Sequence, residues 1–184
     1  MDSNFYTCSE LKELGLKSFG HHVLISRKAS LYGAEHMSFG NHVRIDDFCI
    51  LSGSIVIGNY VHIAAYTALY GKYGIEIHDF CGISARGTLY SAVDDFSGEH
   101  MVSPMVPDEF VKLTTGTIIL HRYVQVGCNT VVFPGCILHE GAATGAMTFV
   151  KTDVPAWSIT AGIPARVIKE RKRNVVGLSE SIRD

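Results

Sequence analysis

The chain has 184 residues, 47% hydrophobic and 18% charged, enough apolar material for one compact domain and too much for a disordered one. A formal charge of −2 and a pI near 6.5 give no global reason to bind nucleic acid or an anionic membrane, so a phosphate-bearing ligand must be met by a local cluster. The five cysteines form no C-x-x-C pair, the start Met1-Asp2-Ser3-Asn4-Phe5-Tyr6 lacks a basic stretch followed by an apolar one, and no apolar run approaches the roughly 18 residues of a spanning helix. These features predict a cytoplasmic protein with reduced thiols and no membrane insertion.

In chain order, Thr7-Cys8-Ser9-Glu10 reads as a capping box before a short helix ending near Gly15, and residues 1–20 are expected to form an N-terminal cap. From there the pattern is a repeat. Aliphatic or aromatic residues recur every sixth position at Phe39, Ile45, Leu51, Ile57, Ile63 and Leu69, again at Ile77, Ile83 and Leu89, and again at Leu120, Val126, Val132, Leu138, Thr144 and Val150. A second row, four residues after most of these, is small or β-branched: Val43, Cys49, Ile55, Val61, Thr67, Cys81, Gly87, Val124, Thr130, Cys136, Ala142 and Thr148. Turn-formers such as Gly40-Asn41, Gly58-Asn59 and Pro134-Gly135 punctuate the rows. A helix repeats near 3.6 residues and a hairpin strand near 2, so neither sustains this period; stacked coils of a solenoid do.

If three hexads make one coil, the interruptions align. The spacings from Leu31 to Phe39 and from Leu69 to Ile77 are longer than six, and the gap from Leu89 to Leu120 begins three hexads after Leu69. All fall on one corner of the prism. The segment 93–117, with Asp94-Asp95-Phe96-Ser97-Gly98, Pro104 and Pro107, is expected to be a structured loop protruding there. The tail from Arg166 to the C-terminus reads as a polar, basic helix over the last coils, giving a single domain: cap 1–20, β-helix 21–165 and tail helix 166–184.

The double six-residue register, with the closing segment Ala161-Gly162-Ile163-Pro164-Ala165-Arg166-Val167-Ile168, resembles the hexapeptide-repeat acyltransferases over about residues 20–170. The resemblance implies an all-β, left-handed parallel β-helix with three flat sides. It further implies a homotrimer with sites between subunits, acetyl-CoA as cosubstrate, no metal, and a hydroxyl or amino group of a sugar as acceptor. Free, nucleotide-linked and lipid-linked acceptors, oxygen or nitrogen acylation, and acyl-chain length all stay open.

For the donor, the resemblance implies a pantetheine groove past Cys128, Ala146, Ala161 and Gly162, and phosphate contacts from Lys151, Arg166 and Lys169, with Arg171, Lys172 and Arg173 extending the basic patch. For the chemistry it points to two of the nine histidines. His100 lies in the loop where galactoside and xenobiotic acetyltransferases carry their base, although the D-D-[FY]-S-G branch this chain resembles more does not require it. His62 stands where galactoside acetyltransferases place an acceptor-binding Tyr; their Asn two residues on is replaced by Ala64, which points to an acceptor other than a galactoside. Asp94 or Asp95 from a neighbouring subunit's loop is expected to orient the base, with Asp94 and Tyr66 also near the acceptor. A His of ordinary pKa, about 6.5, suits general-base work near neutral pH. Cys49, Cys81 and Cys136 fall in the inward register, which argues against a thiol nucleophile, and Trp157 is expected to pack under the final turn, with cover for the adenine as the alternative. Two rival readings are a zinc carbonic anhydrase-like β-helix, whose histidine pair four residues apart is missing here, and a non-catalytic solenoid scaffold.

Overall fold

The computed structural model describes residues 4–182; the ends of the expected cap and tail, residues 1–3 and 183–184, lie outside the described residues. The chain winds as a three-sided prism of parallel strands. The first face stacks Ser18–Phe19, Met37–Phe39, the second halves of Ile50–Ile57 and Ala68–Ile77, Ile118–Leu120 and Ile137–Leu138. The second stacks Leu24–Ile25, Val43–Ile45, Val61–Ile63, Gly82–Ile83, Gln125–Val126, Ala143–Thr144 and Ser158–Ala161. The third stacks Ser30–Tyr32, the first halves of the same two long strands, Thr88–Tyr90, Val131–Val132 and Phe149–Val150.

Both sequence rows point inward. Phe39, Ile45, Leu51, Ile57, Ile63, Leu69, Leu120, Val126 and Val132 are buried, and so are Val43, Cys49, Ile55, Val61, Cys81 and Cys136. Thr144, the polar exception, accepts from the Gly127 N–H at 3.0 Å and lies 3.3 Å from Thr130 Oγ1, so its hydroxyl is not left unpaired in the core. Burial pushes the thiols of Cys49 and Cys136 up to about 11 and that of Cys81 to about 12. None is thiolate near neutral pH, which agrees with their structural role.

The corners explain the turn residues. Between the first and second faces, His22, His42, Tyr60, Phe80, Tyr123 and Trp157 adopt positive φ, which costs a non-glycine residue about 1–2 kcal/mol. Stacking repays part of it: His42 lies 4.6 Å from Tyr60, Tyr60 4.9 Å from Phe80, and Phe80 5.5 Å from Tyr123. Beside this column the Asn41, Asn59 and Asp79 side chains each accept a backbone N–H of the preceding coil. Trp157 is buried 6.0 Å from the Tyr123 ring, so it packs under the final turn as expected.

The insertions share the third corner, as the spacing predicts. Tyr73 N–H donates to Ser91 Oγ, and Thr117 Oγ1 donates to Tyr73 C=O, so the bulge at 71–74 stacks under the base of the long loop. That loop is ordered by an antiparallel pair, Ala92–Asp94 against Leu113–Thr115, and by a bridge between Met101 and Val111. Directly beyond that pair Asp95 accepts the Ser97 N–H at 2.9 Å and holds His100 Nδ1 at 2.9 Å. The Ser97 hydrogen bonds, followed by that of His100, lower the Asp95 carboxyl to about 2.

At the ends, Thr7 and Glu10 form the predicted capping box on the helix Cys8–Glu13. The tail differs from expectation. Arg166–Glu170 is a strand that turns back antiparallel onto Ser158–Ala161, and the helix is confined to Asn174–Glu180. The basic composition of the tail reads as a solvated helix face, whereas the free edge of the last coil supplies hydrogen-bond partners that a strand alone can use.

Two outcomes test this architecture. Val132→Asp buries a charge with no partner between stacked coils and costs more than about 4 kcal/mol, which abolishes cooperative thermal unfolding by circular dichroism. For the loop, a carboxyl lowered to about 2 from 3.8 contributes stability that is complete above 3.8 and is lost as pH falls toward about 2. The melting difference between the native chain and Asp95→Asn therefore narrows on acidification below about pH 4, as read by scanning calorimetry.

Candidate active site

Where the second face turns into the third, two outward rows follow the chain from coil to coil. One reads Asp46, Ala64, Ser84, Gly127, Gly145, Ala161; the next reads Asp47, Ala65, Ala85, Cys128, Ala146, Gly162. Backbone hydrogen bonds tie them in sequence, among them Ser84 N–H to Val126 C=O, Gly145 N–H to Thr160 C=O and Met147 N–H to Cys128 C=O. The result is a trough of small residues down the corner. A Cβ at Gly127 would stand 2.5 Å from the Gly145 backbone, and one at Gly145 would stand 3.0 Å from Ala161 Cβ, so the floor admits nothing larger. The four expected groove residues, Cys128, Ala146, Ala161 and Gly162, thus come together.

At the upper end of the trough lies a cleft of about 200 Å³, lined by His62, Ala64, Gly82, Ile83, Ser84, Ala85 and Gln125. His62 is outward and half exposed because it sits between the inward Val61 and Ile63 of a three-residue strand. Its Nε2 is 2.8 Å from Asp46 Oδ2, and Asp46 Oδ1 accepts Arg44 Nε at 2.7 Å. Burial works against ionising Asp46, but the hydrogen bonds from Arg44 and then His62 outweigh it and hold the carboxyl below its usual range. The partner of His62 within the chain is therefore Asp46, a residue that the sequence reading leaves unnamed. Such a carboxylate fixes the ring and stabilises its cation while leaving Nδ1 for another group.

The loop acids have separate duties. Asp95 is engaged with Ser97 and His100, which makes it the loop's own turn residue, and His100 is held through Nδ1. Asp94 ends the strand Ala92–Asp94 opposite Leu113, and no hydrogen bond or ion pair of its carboxylate is found among the described residues. Tyr66 lies outside the cleft lining but at this same corner, directly after Ala65, with its ring 5.0 Å from Phe48 and Arg86 5.6 Å above it. His78, His121 and His139 form a separate column at the first corner, with centroids 4.9 and 5.8 Å apart.

The basic residues divide. Arg166 and Lys169 are exposed on the return strand, paired with Ala161 and Ile159 beside the lower trough. Lys151 follows Phe149–Val150, the strand whose backbone binds the Gly162 C=O and the Ala165 N–H, and so stands at the far edge of the third face. Arg171 does not extend this patch: its Nη1 donates to the carbonyls of Tyr123 at 2.7 Å and Gly141 at 3.0 Å. Arg173 lies 5.3 Å over the Trp157 ring, so it too is occupied in securing the tail.

Ser84 and Gln125, which line the cleft, and Asp46, which holds His62, are not singled out by the sequence pattern alone. One signal is present for Gln125, since His62 pairs with Gly82 and Gly82 with Gln125 in register, so that stepping coil by coil leads from His62 to it.

No protein-family model matches the chain. It is 45% identical over 172 residues, 92% of this chain and 90% of the relative, to a dTDP-4-amino-4,6-dideoxy-D-glucose acyltransferase of Escherichia coli. Among solved structures it is similar to AntD, an N-acyltransferase from Bacillus cereus. The S84C variant of AntD, in complex with dTDP-4-amino-4,6-dideoxyglucose and coenzyme A, gives a TM-score of 0.96 at 48% identity over 98% of this chain and 97% of that one. The D94A variant, with dTDP and coenzyme A, gives 0.95 at 49% over 97% and 96%. A hexapeptide-repeat-containing acetyltransferase from Vibrio cholerae O1 biovar eltor, with acetyl coenzyme A, shares the fold at TM-score 0.64 and 16% identity over 90% and 76%. Prism, closing turn and these relatives agree: the chain belongs to the hexapeptide-repeat sugar acyltransferases, enzymes built on the left-handed parallel β-helix that use an acyl-coenzyme A cosubstrate.

Proposed function

We propose that the chain transfers an acyl group from coenzyme A to the amino group of a thymidine-diphosphate-linked amino sugar, with His62 as general base. The observation that carries this reading is the His62–Asp46 pair at the head of a trough of small residues that ends at Ala161 and Gly162. The acceptor class rests on the E. coli relative and on AntD, both of which act on or bind a dTDP-linked amino sugar. Ser84 and Asp94, the residue types varied in AntD at those numbers, stand at the same numbers here.

Pantetheine lies along the trough past Cys128, Ala146, Ala161 and Gly162. Arg166 and Lys169 meet the phosphates at its nucleotide end, and Lys151 meets them from the far edge. The thioester carbonyl stands beside Ser84. The neutral amine attacks the carbonyl carbon, forming the C–N bond. His62 Nδ1 takes the proton released by nitrogen, and the C–S bond breaks with departure of the coenzyme A thiolate, which is then protonated. Asp46 stabilises the imidazolium formed in the step. Base assistance of this kind is worth about 10²–10⁴ in rate, and backbone N–H groups around the developing oxyanion supply a comparable share. No covalent enzyme intermediate is needed.

The unpartnered carboxylate of Asp94 and the Tyr66 ring contact the acceptor, Asp94 reaching it from a neighbouring subunit of a homotrimer. In support of that assembly, the loop exposes Phe96 at 81% and Met105 at 89%, apolar area that a second copy would cover. The product serves as a building block for cell-surface polysaccharide or O-antigen. No helix among the described residues is long and apolar enough to cross a membrane. A donor drawn from the acyl-coenzyme A pool suits a cytoplasmic enzyme.

His100 is the competing base, because Asp95 holds its Nδ1 and no hydrogen bond of its Nε2 is found among the described residues. His62→Ala lowers kcat at least about tenfold in a thiol-release assay with the dTDP-amino sugar while His100→Ala does not; the opposite pattern moves the role to His100. Coenzyme A at about 100 times its Kd adds roughly 2.7 kcal/mol of stability in a thermal shift, a response a scaffold lacks. Arg166→Glu weakens that binding, and unchanged affinity would remove Arg166 from the phosphate site.

A further inference from the structure

His62 has a neighbour on the second face. Arg44 stands beside it in register, one strand spacing or about 4.8 Å away, and both point outward because Val43, Ile45, Val61 and Ile63 are the inward residues of their strands. Two residues after Arg44 comes Asp46, whose carboxylate meets both: Arg44 Nε at Oδ1, 2.7 Å, and His62 Nε2 at Oδ2, 2.8 Å. One oxygen goes to each donor, so the carboxylate plane is fixed at two points. Against the burial that raises it, the Arg44 and His62 hydrogen bonds hold this carboxyl below its usual range. An ionised carboxylate only accepts, so the His62 proton sits on Nε2 and the lone pair on Nδ1.

Arg44 is itself braced. Its guanidinium lies 5.3 Å over the Phe5 ring. Phe5 belongs to an N-terminal segment tied to the first coil by Tyr6 N–H to Ile25 C=O and Arg27 N–H to Asn4 C=O, both 2.9 Å, and by its own bridge to Ser26.

We propose that Arg44 is a positioning residue for the base: it turns the Asp46 carboxylate so that Oδ2 faces His62 Nε2, and the Phe5 ring steadies it in turn. The inference rests on the reading of His62 as base. Asp46 lies in the turn directly after the strand Val43–Ile45, and its oxygens have no side-chain partners other than Arg44 and His62 among the described residues. Without Arg44 the carboxylate rotates, and the ring loses the contact that selects its tautomer. A ring with its proton on Nδ1 offers no lone pair there to the attacking amine. Arg44 also places a positive charge near the imidazolium that forms, but both side chains are about half exposed and water screens that repulsion, so orientation prevails.

The test reads tautomer and rate together. In histidine-selective nitrogen NMR, above the pH at which histidine is protonated, the His62 signal is identified by its loss in His62→Gln. It reports the Nε2–H tautomer in the native chain and a mixture in Arg44→Met, a variant of similar length with no donor. Arg44→Met lowers kcat roughly three- to tenfold, the effect of one hydrogen bond to a charged group, while KM and the Kd for coenzyme A stay native. Arg44→Lys keeps the charge and restores most of the rate, and Phe5→Ala gives a smaller loss of the same kind. Beside Asp46→Asn, the Arg44→Met change costs nothing further, because Arg44 acts through Asp46; a merely structural role costs the same in both backgrounds. If folded Arg44→Met keeps the native tautomer, or its loss of kcat recurs in full beside Asp46→Asn, Arg44 does not position the base. If His62→Ala leaves kcat native, the reading of His62 as base fails, and the tautomer measurement alone then decides whether Arg44 holds the pair.

Discussion

Everything in this molecule depends on strands too short to exist alone. A strand of two or three residues buries one or two side chains, and only the coil above and the coil below supply the contacts that remove those side chains from water. The inward rows therefore cannot be broken locally. The same requirement fixes the exterior: once every sixth residue points in, its neighbours are bound to point out, and each outward residue sits one spacing from its counterpart in the next coil.

The candidate site is a product of that arithmetic. His62 is turned outward by Val61 and Ile63, Asp46 comes to it from the coil before, and Gly82 and Gln125 follow from the coils after. Rigidity comes with the position. These side chains stand on short strands or in the turn directly after one, all held by hydrogen bonds on both sides, so the base and its carboxylate need no induced movement to meet. The loop at the third corner contributes the opposite quality, a tongue ordered by its own Asp95 turn and carrying exposed apolar residues away from the prism.

Most of the fold was legible in the sequence because periodicity is a one-dimensional property. Both registers, the capping box and the shared corner of the insertions could be read from spacing alone, and the structure places each where expected. The partner of His62 could not be read in the same way. Asp46 lies 16 residues before it, short of a full coil, so the pairing is diagonal and depends on side-chain reach as well as on register. Arg171 was misleading for another reason. Its charge placed it in a basic cluster, yet the carbonyls of Tyr123 and Gly141 claim the guanidinium, and no run of letters tells which way a long side chain turns.

The tail that folds back as Arg166–Glu170 has a consequence for the molecule as a material. A stack of parallel coils presents an unsatisfied row of amides and carbonyls at its terminus, and a second prism arriving there would continue the stack without limit. By running in the opposite direction along Ser158–Ala161, the return strand occupies that row with a chain of the wrong polarity and a charged outer surface. End-to-end growth into fibres is stopped by reversing one short segment.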